Sequence, residues 1–420
     1  MKKKSFFLLL GFALAISSCS GTTDEPKPDT PEDPVVTPDE PSTITPATPI
    51  ELTVAEAASR SACNSFGLNF VGTELSKHPE SENVALSPFS AATTLAFYAN
   101  AAGDELSQQI QTLLGSSDID ALNSYTAKMG AQLPSLDPCA DLAIANAVWY
   151  NNAYTLNPGF ANIAEEIYKS PCTAVDFADK AAAQGLIDAW VKKETRGMIS
   201  DFKLPLEETT LSVVANALYF KGAWAQKFDK AKTSNDKFYG AAGETSASMM
   251  HATQTAACYS DDFLAMAALD FGNGTFRMHF VLPAQGITPV ELLTDGLITS
   301  DKLFNTSVEP LALTIPRFEI QPTDKIEISS TLCEMGLPAI MTGHDFKMFT
   351  ETVEDVAALI YQKTAVKVNE EGAEAAAATT IVPEATLGQL RELTLDRPFL
   401  FFITEKSTQT ILFAGRVAQL

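Results

Sequence analysis

The chain has 420 residues, 46% of them hydrophobic and 19% charged, with a formal net charge of −23. That length and apolar content support a sizeable buried core, and length alone would allow two or three domains. The acidic balance lacks the basic stripe that a phosphate backbone requires, which excludes a nucleic-acid partner and matches an ordinary solvated acidic surface.

In chain order, Lys2, Lys3 and Lys4 precede an apolar run from Phe6 to Ile16. The run has the length of a secretion-signal core and is too short to span a bilayer comfortably. It closes on Ile16-Ser17-Ser18-Cys19, which resembles the lipobox of bacterial lipoproteins. The resemblance implies a signal peptide over residues 1–18, acylation of Cys19 and attachment to a membrane through that anchor; ordinary cleavage after the small residues is the alternative. Ser20 next to the anchor fits outer-membrane sorting, facing either the exterior or the periplasm. Residues 19–50 are rich in Pro, Thr and acidic side chains, without apolar periodicity, and read as a semi-extended linker. The folded domain is expected over residues 51–420, with no second linker, no repeat and no later membrane span.

Within that domain, helices are expected over Ala55–Lys77, Pro88–Leu114, Ala161–Tyr168 and Ala181–Glu194. Strands are expected over Leu211–Phe220, Arg277–Leu282, Ala312–Phe318, Ala357–Val368, Phe399–Thr404 and Thr410–Val417. Helices first and strands later predict an α+β fold around a large, mostly antiparallel sheet.

The sequence offers little to an enzyme. The four histidines, His78, His251, His279 and His344, sit in no catalytic motif, and GxSxG, GxxxxGK[ST] and HExxH are missing. Beyond Cys19, the cysteines are Cys63, Cys139, Cys172, Cys258 and Cys333, with no CxxC pair or Cys/His cluster. No metal or cofactor is expected. An oxidising compartment permits disulfides, and an odd count leaves at least one thiol free.

The distinctive segment runs from Val368 through Glu370-Glu371-Gly372 to Thr380. Its Ala and Glu content favours helix, yet it follows a strand-like run and leads into the β-prone Thr379-Thr380-Ile381-Val382. Here the chain resembles the serpin family. Asn83-Val84-Ala85-Leu86-Ser87-Pro88-Phe89-Ser90, Val213 to Trp224, Leu313 to Phe318, Asp396 to Ile403 and Leu412 to Val417 match successive family blocks in order.

The resemblance implies the serpin fold, with about three β-sheets, eight or nine helices and an exposed reactive-centre loop. It implies a monomeric suicide-substrate inhibitor whose partner is an endopeptidase. The protease cuts the loop and is held as a covalent acyl complex while the loop inserts as a new strand into the main sheet. The hinge is Glu370, Glu371, Gly372, Ala373, Glu374, Ala375, Ala376, Ala377, Ala378 and Thr379. Side chains alternate along a strand, so Ala373, Ala375, Ala377 and Thr379 would face inward together, all small; Gly372 would supply a flexible bend.

Other family positions carry over singly. Ser87, Ser90 and Asn216 match a polar cluster beneath the point where the sheet opens. Asp188 stands there in place of the family's Asn, and Gln362 in place of its His; both still hydrogen-bond. Trp224, Arg317 and Glu370 match a group at the top of the sheet, with an Arg317–Glu370 ion pair. Counting forward from Gly372 gives Thr386 as the residue before the cut bond, counting back from Pro398 gives Leu387, and Ala385 is a third candidate. Thr or Ala suits elastase-like proteases; Leu suits chymotrypsin- or subtilisin-like ones, with papain-like cysteine proteases as a further class. In the implied fold Cys139 and Cys172 precede neighbouring strands and are a candidate disulfide. The competing functions are a non-inhibitory protein of the same fold and a surface adhesin or structural lipoprotein.

Overall fold

The computed structural model describes residues 46–197, 199, 202–320, 325–372 and 390–420. Its first half runs α1 (Val54–Leu75), β1 (Val84–Leu86), α2 (Pro88–Ala99), α3 (Asp104–Leu113), α4 (Ile119–Gln132), β2 (Ala140–Asn151), α5 (Pro158–Asn162), β3 (Cys172–Val175), α6 (Lys180–Glu194) and β4 (Ser212–Gly222). Next come β5 (Ser234–Gly240), β6 (Gly243–Ser260), β7 (Leu264–Asp270), β8 (Phe276–Pro283), α7 (Pro289–Thr294), α8 (Ser300–Phe304), β9 (Ser307–Pro316), β10 (Phe318–Ile320) and β11 (Ile326–Glu327). The chain ends with α9 (Ser329–Glu334), α10 (Ala339–Thr342), β12 (His344–Phe346), β13 (Val353–Val356), β14 (Tyr361–Gln362), β15 (Val366–Val368), β16 (Arg391–Thr394), β17 (Phe399–Glu405) and β18 (Thr410–Val417). Ten α-helices among the described residues, several only one or two turns long, and mixed sheets make the α+β fold expected from the sequence.

Local chemistry starts the helices where it should. Thr53 caps α1 in a reciprocal box with Glu56, and Ser87 caps α2 ahead of Pro88. The helix expected over residues 88–114 is two helices. Gly103 interrupts it, donating its N–H to the Asp345 carbonyl at 2.6 Å. A Cβ on Gly103 would lie 2.8 Å from that of Asp345, so only glycine lets the two backbones approach.

The largest sheet has nine strands in the order β1-β18-β17-β8-β7-β6-β9-β16, with β5 on β6. It is antiparallel apart from the β9/β16 pair. Every residue of β17 and β18 is buried, the signature of central strands covered on both faces. Helices α1 and α2 pack against β18, and Phe401, Phe402 and Phe399 are fully enclosed there.

A smaller sheet, β3-β2-β4, carries α6 on one face. Trp149 and Val175 of the sheet bury with Ile187 and Val191 of the helix, and Trp149 meets Trp190 edge-on at 5.4 Å. Two two-stranded ribbons, β11/β14 and β10/β15, complete the part that matters for function.

Three further expectations differ from the structure. The strand expected over residues 357–368 is broken: Asp355 adopts φ +57°, the Ala358 N–H turns to the Ile340 carbonyl, and the Ile360 N–H goes to the Ser329 hydroxyl. Partners on α9 and α10 replace a ladder. The strand expected over 312–318 divides at Pro316, β9 serving the large sheet and β10 a ribbon. Cys139 and Cys172 are free, as are the other three described cysteines. Cys172 sits opposite Val148, and nine steps along β2 at about 3.3 Å each put roughly 30 Å between the two positions, beyond any disulfide.

Candidate functional site

Strand β4 forms an unbroken antiparallel ladder with β2, from Ser212 opposite Tyr150 to Gly222 opposite Ala140. Among the described residues no ladder occupies its other edge. That edge faces the segment 353–364 across a cleft of about 450 Å³, floored by Ser87, Ser90 and Tyr98. Among the described residues, strands β14 and β15 pair with β11 and β10 alone. An open strand edge is a template on which another strand can pair.

The walls are tied across the cleft floor through the start of α2. Gln362 accepts from the Ser87 N–H at 2.8 Å and donates to the Ser87 carbonyl at 2.9 Å. The Ser87 hydroxyl donates to the Leu412 carbonyl at 2.8 Å and accepts from the Ser90 N–H at 3.0 Å. From the other wall, Asn216 accepts from the Ser90 hydroxyl and donates to Asn146 on β2 at 2.8 Å. Asn146 passes the chain on to the Tyr168 carbonyl at 3.0 Å. Four of the expected cluster residues thus meet: Ser87, Ser90, Asn216 and Gln362. Asn146 was missed, because nothing in the local sequence marks it; only the β2/β4 register sets it beside Asn216.

Gln362→Leu should therefore uncouple the wall from the floor and strand the Ser87 N–H, while the Ser87 carbonyl keeps the Ala91 N–H. A destabilisation of about 1–3 kcal/mol is expected, seen as a lower urea midpoint at unchanged slope.

Asp188 is elsewhere. It points from α6 to the chain returning toward β4, accepting from the Phe202 N–H at 2.7 Å and from the Gln184 amide at 2.9 Å. Its place on the helix, one turn from Gln184, aims it at that return segment and away from the floor.

At the upper end of the cleft, one bridge joins Ala223 to Gly372. The Trp224 N–H donates to the Glu371 carbonyl at 3.0 Å, the Phe228 N–H to the Glu370 carbonyl at 2.9 Å, and the Trp224 indole to the Asn369 carbonyl at 2.9 Å. The indole stacks on Phe271 at 4.5 Å. Glu370, 2% exposed, accepts from Arg317 Nε at 2.7 Å and from the Thr233 hydroxyl at 2.5 Å. Lys230 pairs with Glu371. The expected Arg317–Glu370 ion pair is present, with Trp224 beside it.

Gly372 does more than bend. Its φ is +98°, and a Cβ there would lie 2.4 Å from the Gly222 carbonyl oxygen and 2.5 Å from the Trp224 nitrogen. The turn is fixed and tightly packed.

Burial alone would raise the Glu370 carboxyl, but the hydrogen bonds from Arg317 and Thr233 outweigh it and hold the group below its ordinary value of 4.5. A depressed carboxyl contributes stability above the unfolded value and loses it as pH falls through the folded one. The hinge should accordingly loosen below pH 4.5. A tryptophan fluorescence change in that range, absent from Glu370→Gln, checks it.

The remaining candidates, Cys19, Ala373, Glu374, Ala375, Ala376, Ala377, Ala378, Thr379, Ala385, Thr386 and Leu387, lie outside the described residues. Hydroxyl–imidazole contacts also escaped the sequence reading: Thr404 to His279 at 3.0 Å, Tyr98 to His344 at 2.9 Å, and Ser234 to His251 at 3.0 Å. The other ring nitrogen of His251 meets the Thr314 hydroxyl at 3.1 Å, not a carboxylate that would stabilise an imidazolium. Among the described residues no group of three His, Cys, Asp or Glu side chains is placed to hold a metal, and no helix is long and apolar enough to cross a membrane.

The family model described as serpin (serine protease inhibitor) matches residues 61–420. Iripin-1 of Ixodes ricinus is 33% identical over 376 residues, covering 86% of this chain and 94% of that protein. Serpin-Z7 of Hordeum vulgare is 31% identical over 377 residues, covering 84% and 94%. Among solved structures, Arabidopsis AtSerpin1 in its native stressed conformation superposes with a TM-score of 0.76 at 26% identity, covering 88% of this chain and 99% of that one.

Proposed function

The chain belongs to the serpin family of serine protease inhibitors, and from that premise we propose that it traps its target by loop cleavage and strand insertion. The observation that carries this reading is the cleft. Its two open edges lead directly to Gly372, the last described residue before the loop.

The proposed sequence of events follows from the residues. A protease attacks the bond after Ala385, Thr386 or Leu387 and becomes esterified to the loop. The freed segment then leaves the Gly372 turn and enters between β4 and the 353–364 wall. Ala373, Ala375, Ala377 and Thr379 face the floor, and their small size lets them pass. About ten ladder hydrogen bonds at a net ~1 kcal/mol each supply on the order of 10 kcal/mol. A protease is stable by only ~5–15 kcal/mol, so insertion competes with its native structure and distorts its active site before the ester can hydrolyse. The description of the Arabidopsis relative as native and stressed supports such stored energy.

The targets we propose are serine endopeptidases of elastase-like or subtilisin/chymotrypsin-like preference, with papain-like cysteine proteases a further class. The inhibitor acts as a monomer. Its residues 1–50 support a lipid-anchored domain on a stalk, at the outer membrane of a bacterial envelope. Incubation with pancreatic elastase and subtilisin tests the reading. A protease–inhibitor band that survives SDS is expected; loop cleavage without such a band would instead make this a non-inhibitory member of the family.

A further inference from the structure

Floor and wall of the cleft also meet at a histidine. Tyr98, near the end of α2, is buried and lines the cleft with Ser87 and Ser90. Its hydroxyl meets His344 Nε2 at 2.9 Å. His344 opens β12 and stands opposite Val356 of β13, a residue of the wall. The imidazole is edge-on to the Tyr98 ring at 5.7 Å and to Phe346 at 6.4 Å. The far end of β12 is held to the end of α2 and the residues after it by backbone. There the Gly103 N–H donates to the Asp345 carbonyl and the Lys347 N–H to the Ala101 carbonyl, each at 2.6 Å. At the near end, opposite Val356, the tie to α2 is the Tyr98–His344 bond.

The partners fix the tautomer. His344 Nδ1 lies 3.2 Å from the Ala339 carbonyl oxygen of α10. A carbonyl only accepts, so Nδ1 carries the proton and Nε2 offers the lone pair to which the Tyr98 hydroxyl donates. A second proton would sit on Nε2 and point at the Tyr98 oxygen. The hydroxyl would have to turn and accept, and its own proton would lose its acceptor in a buried site. The charged groups around the ring are Asp345 beside it, Glu354 and Asp355 on β13, and the Lys347–Asp104 pair past the end of β12. The residues of α2 and α10 contribute none. Burial holds the imidazole below its ordinary value of 6.5, against the opposing pull of the Ala339 carbonyl and the Asp345 charge. The stability that comes with the neutral ring is present above pH 6.5 and lost as pH falls below it. Glu370 loosens the hinge only below 4.5, so the two windows are separate.

We propose that His344 is an acid-sensitive joint between the floor and the wall of the cleft. Neutral, it fastens the wall to Tyr98; protonated, it lets the wall yield, so the cleft opens more readily at mildly acidic pH. His344 and Tyr98 are positioning residues, and neither touches a protease. The inference rests on the proposed function in one respect, that this cleft is where a strand enters, and it adds pH as a control on that entry.

Hydrogen exchange of the full protein, read by mass spectrometry at pH 7.5 and pH 5, tests the joint without a protease. Rates are divided by the intrinsic chemical rate at each pH. Protection of the amides of residues 353–358 should fall on the order of fivefold at pH 5, the change expected when one buried hydrogen bond is lost. Protection of the buried strand β17 should hold. His344→Gln presents a donor and an acceptor but does not titrate, so its protection should be equal at the two pH values. Tyr98→Phe lacks the hydroxyl and should already exchange at pH 7.5 as the parent does at pH 5. It also serves should the His344 variant fail to fold. Unchanged protection in the parent, the same fall in His344→Gln, or an equal fall in β17 overturns the joint. Uptake of a fluorescent synthetic peptide with the sequence of residues 373–386 reads strand entry, and in the parent but not in His344→Gln it should be faster at pH 5. Equal uptake at the two pH values overturns control of entry by His344. Uptake at neither pH counts against the functional reading, while exchange still decides the joint.

Discussion

Ala377→Arg is expected to convert the protein from inhibitor to substrate. Position 377 has the same parity as 373, 375 and 379, so in an inserted strand its side chain would face the polar floor where Ser87, Ser90 and Asn216 already satisfy one another. A guanidinium there would be buried without a carboxylate, and burying an unpaired charge is among the most costly single changes available. Insertion would stall while hydrolysis of the acyl-enzyme continued. The yield of SDS-stable complex should fall at least about tenfold, equivalent to ~1.4 kcal/mol on the insertion barrier. Ala376→Arg, one residue away and facing outward, should lose far less. Equal yields from the two would show that the parity is wrong.

Gly372→Ala should act on the uncleaved protein. The native turn requires φ +98° and leaves no room for a Cβ beside the Gly222 carbonyl and the Trp224 nitrogen. Backbone strain of this kind costs about 1–3 kcal/mol, and the contacts with backbone atoms add to it because neither neighbour can rotate away. The hinge would leave the site, taking with it the bonds from Trp224 and Phe228 to residues 370 and 371. A fall of several degrees in the thermal midpoint is expected, with altered Trp224 fluorescence. An unchanged midpoint and spectrum would mean that the turn does not hold the hinge in solution.

Much of the fold was legible because its signals are local. Thr53 and Glu56 mark the start of α1, Ser87-Pro88 that of α2, and the Phe-rich run at 399–404 reads as a buried strand. A strand after Cys139 was reached only through the family resemblance, because the Ala-rich stretch Ala140–Asn151 favours no single period; its strand state comes from the ladder with β4. The long β6 escaped for a similar reason, being rich in Ala, Ser, Thr and Met and held by β5, β7 and β9. The break at residues 357–360 is a tertiary effect of α9 and α10. At the site, the structure brings Ser87, Ser90, Asn216 and Gln362 into one hydrogen-bonded cluster and sets Arg317 on Glu370. Asp188 was misplaced because its helix could be read but its facing could not. Gln184 carried no signal at all, since its partners are the Asp188 carboxylate one turn on and backbone groups of Phe202 and Leu204.

In the proposed mechanism the cleft between β4 and the 353–364 wall lacks a strand, and loop cleavage fills it. Thermal unfolding of the same preparation before and after a single nick between residues 385 and 388 tests it most directly. Gain of about ten ladder hydrogen bonds should raise the midpoint by well over 10 °C, given roughly 2–4 °C per kcal/mol for a domain of 150–250 residues and less for a larger one. A nicked protein that melts at or below the temperature of the intact one would contradict insertion, and with it the inhibitory mechanism.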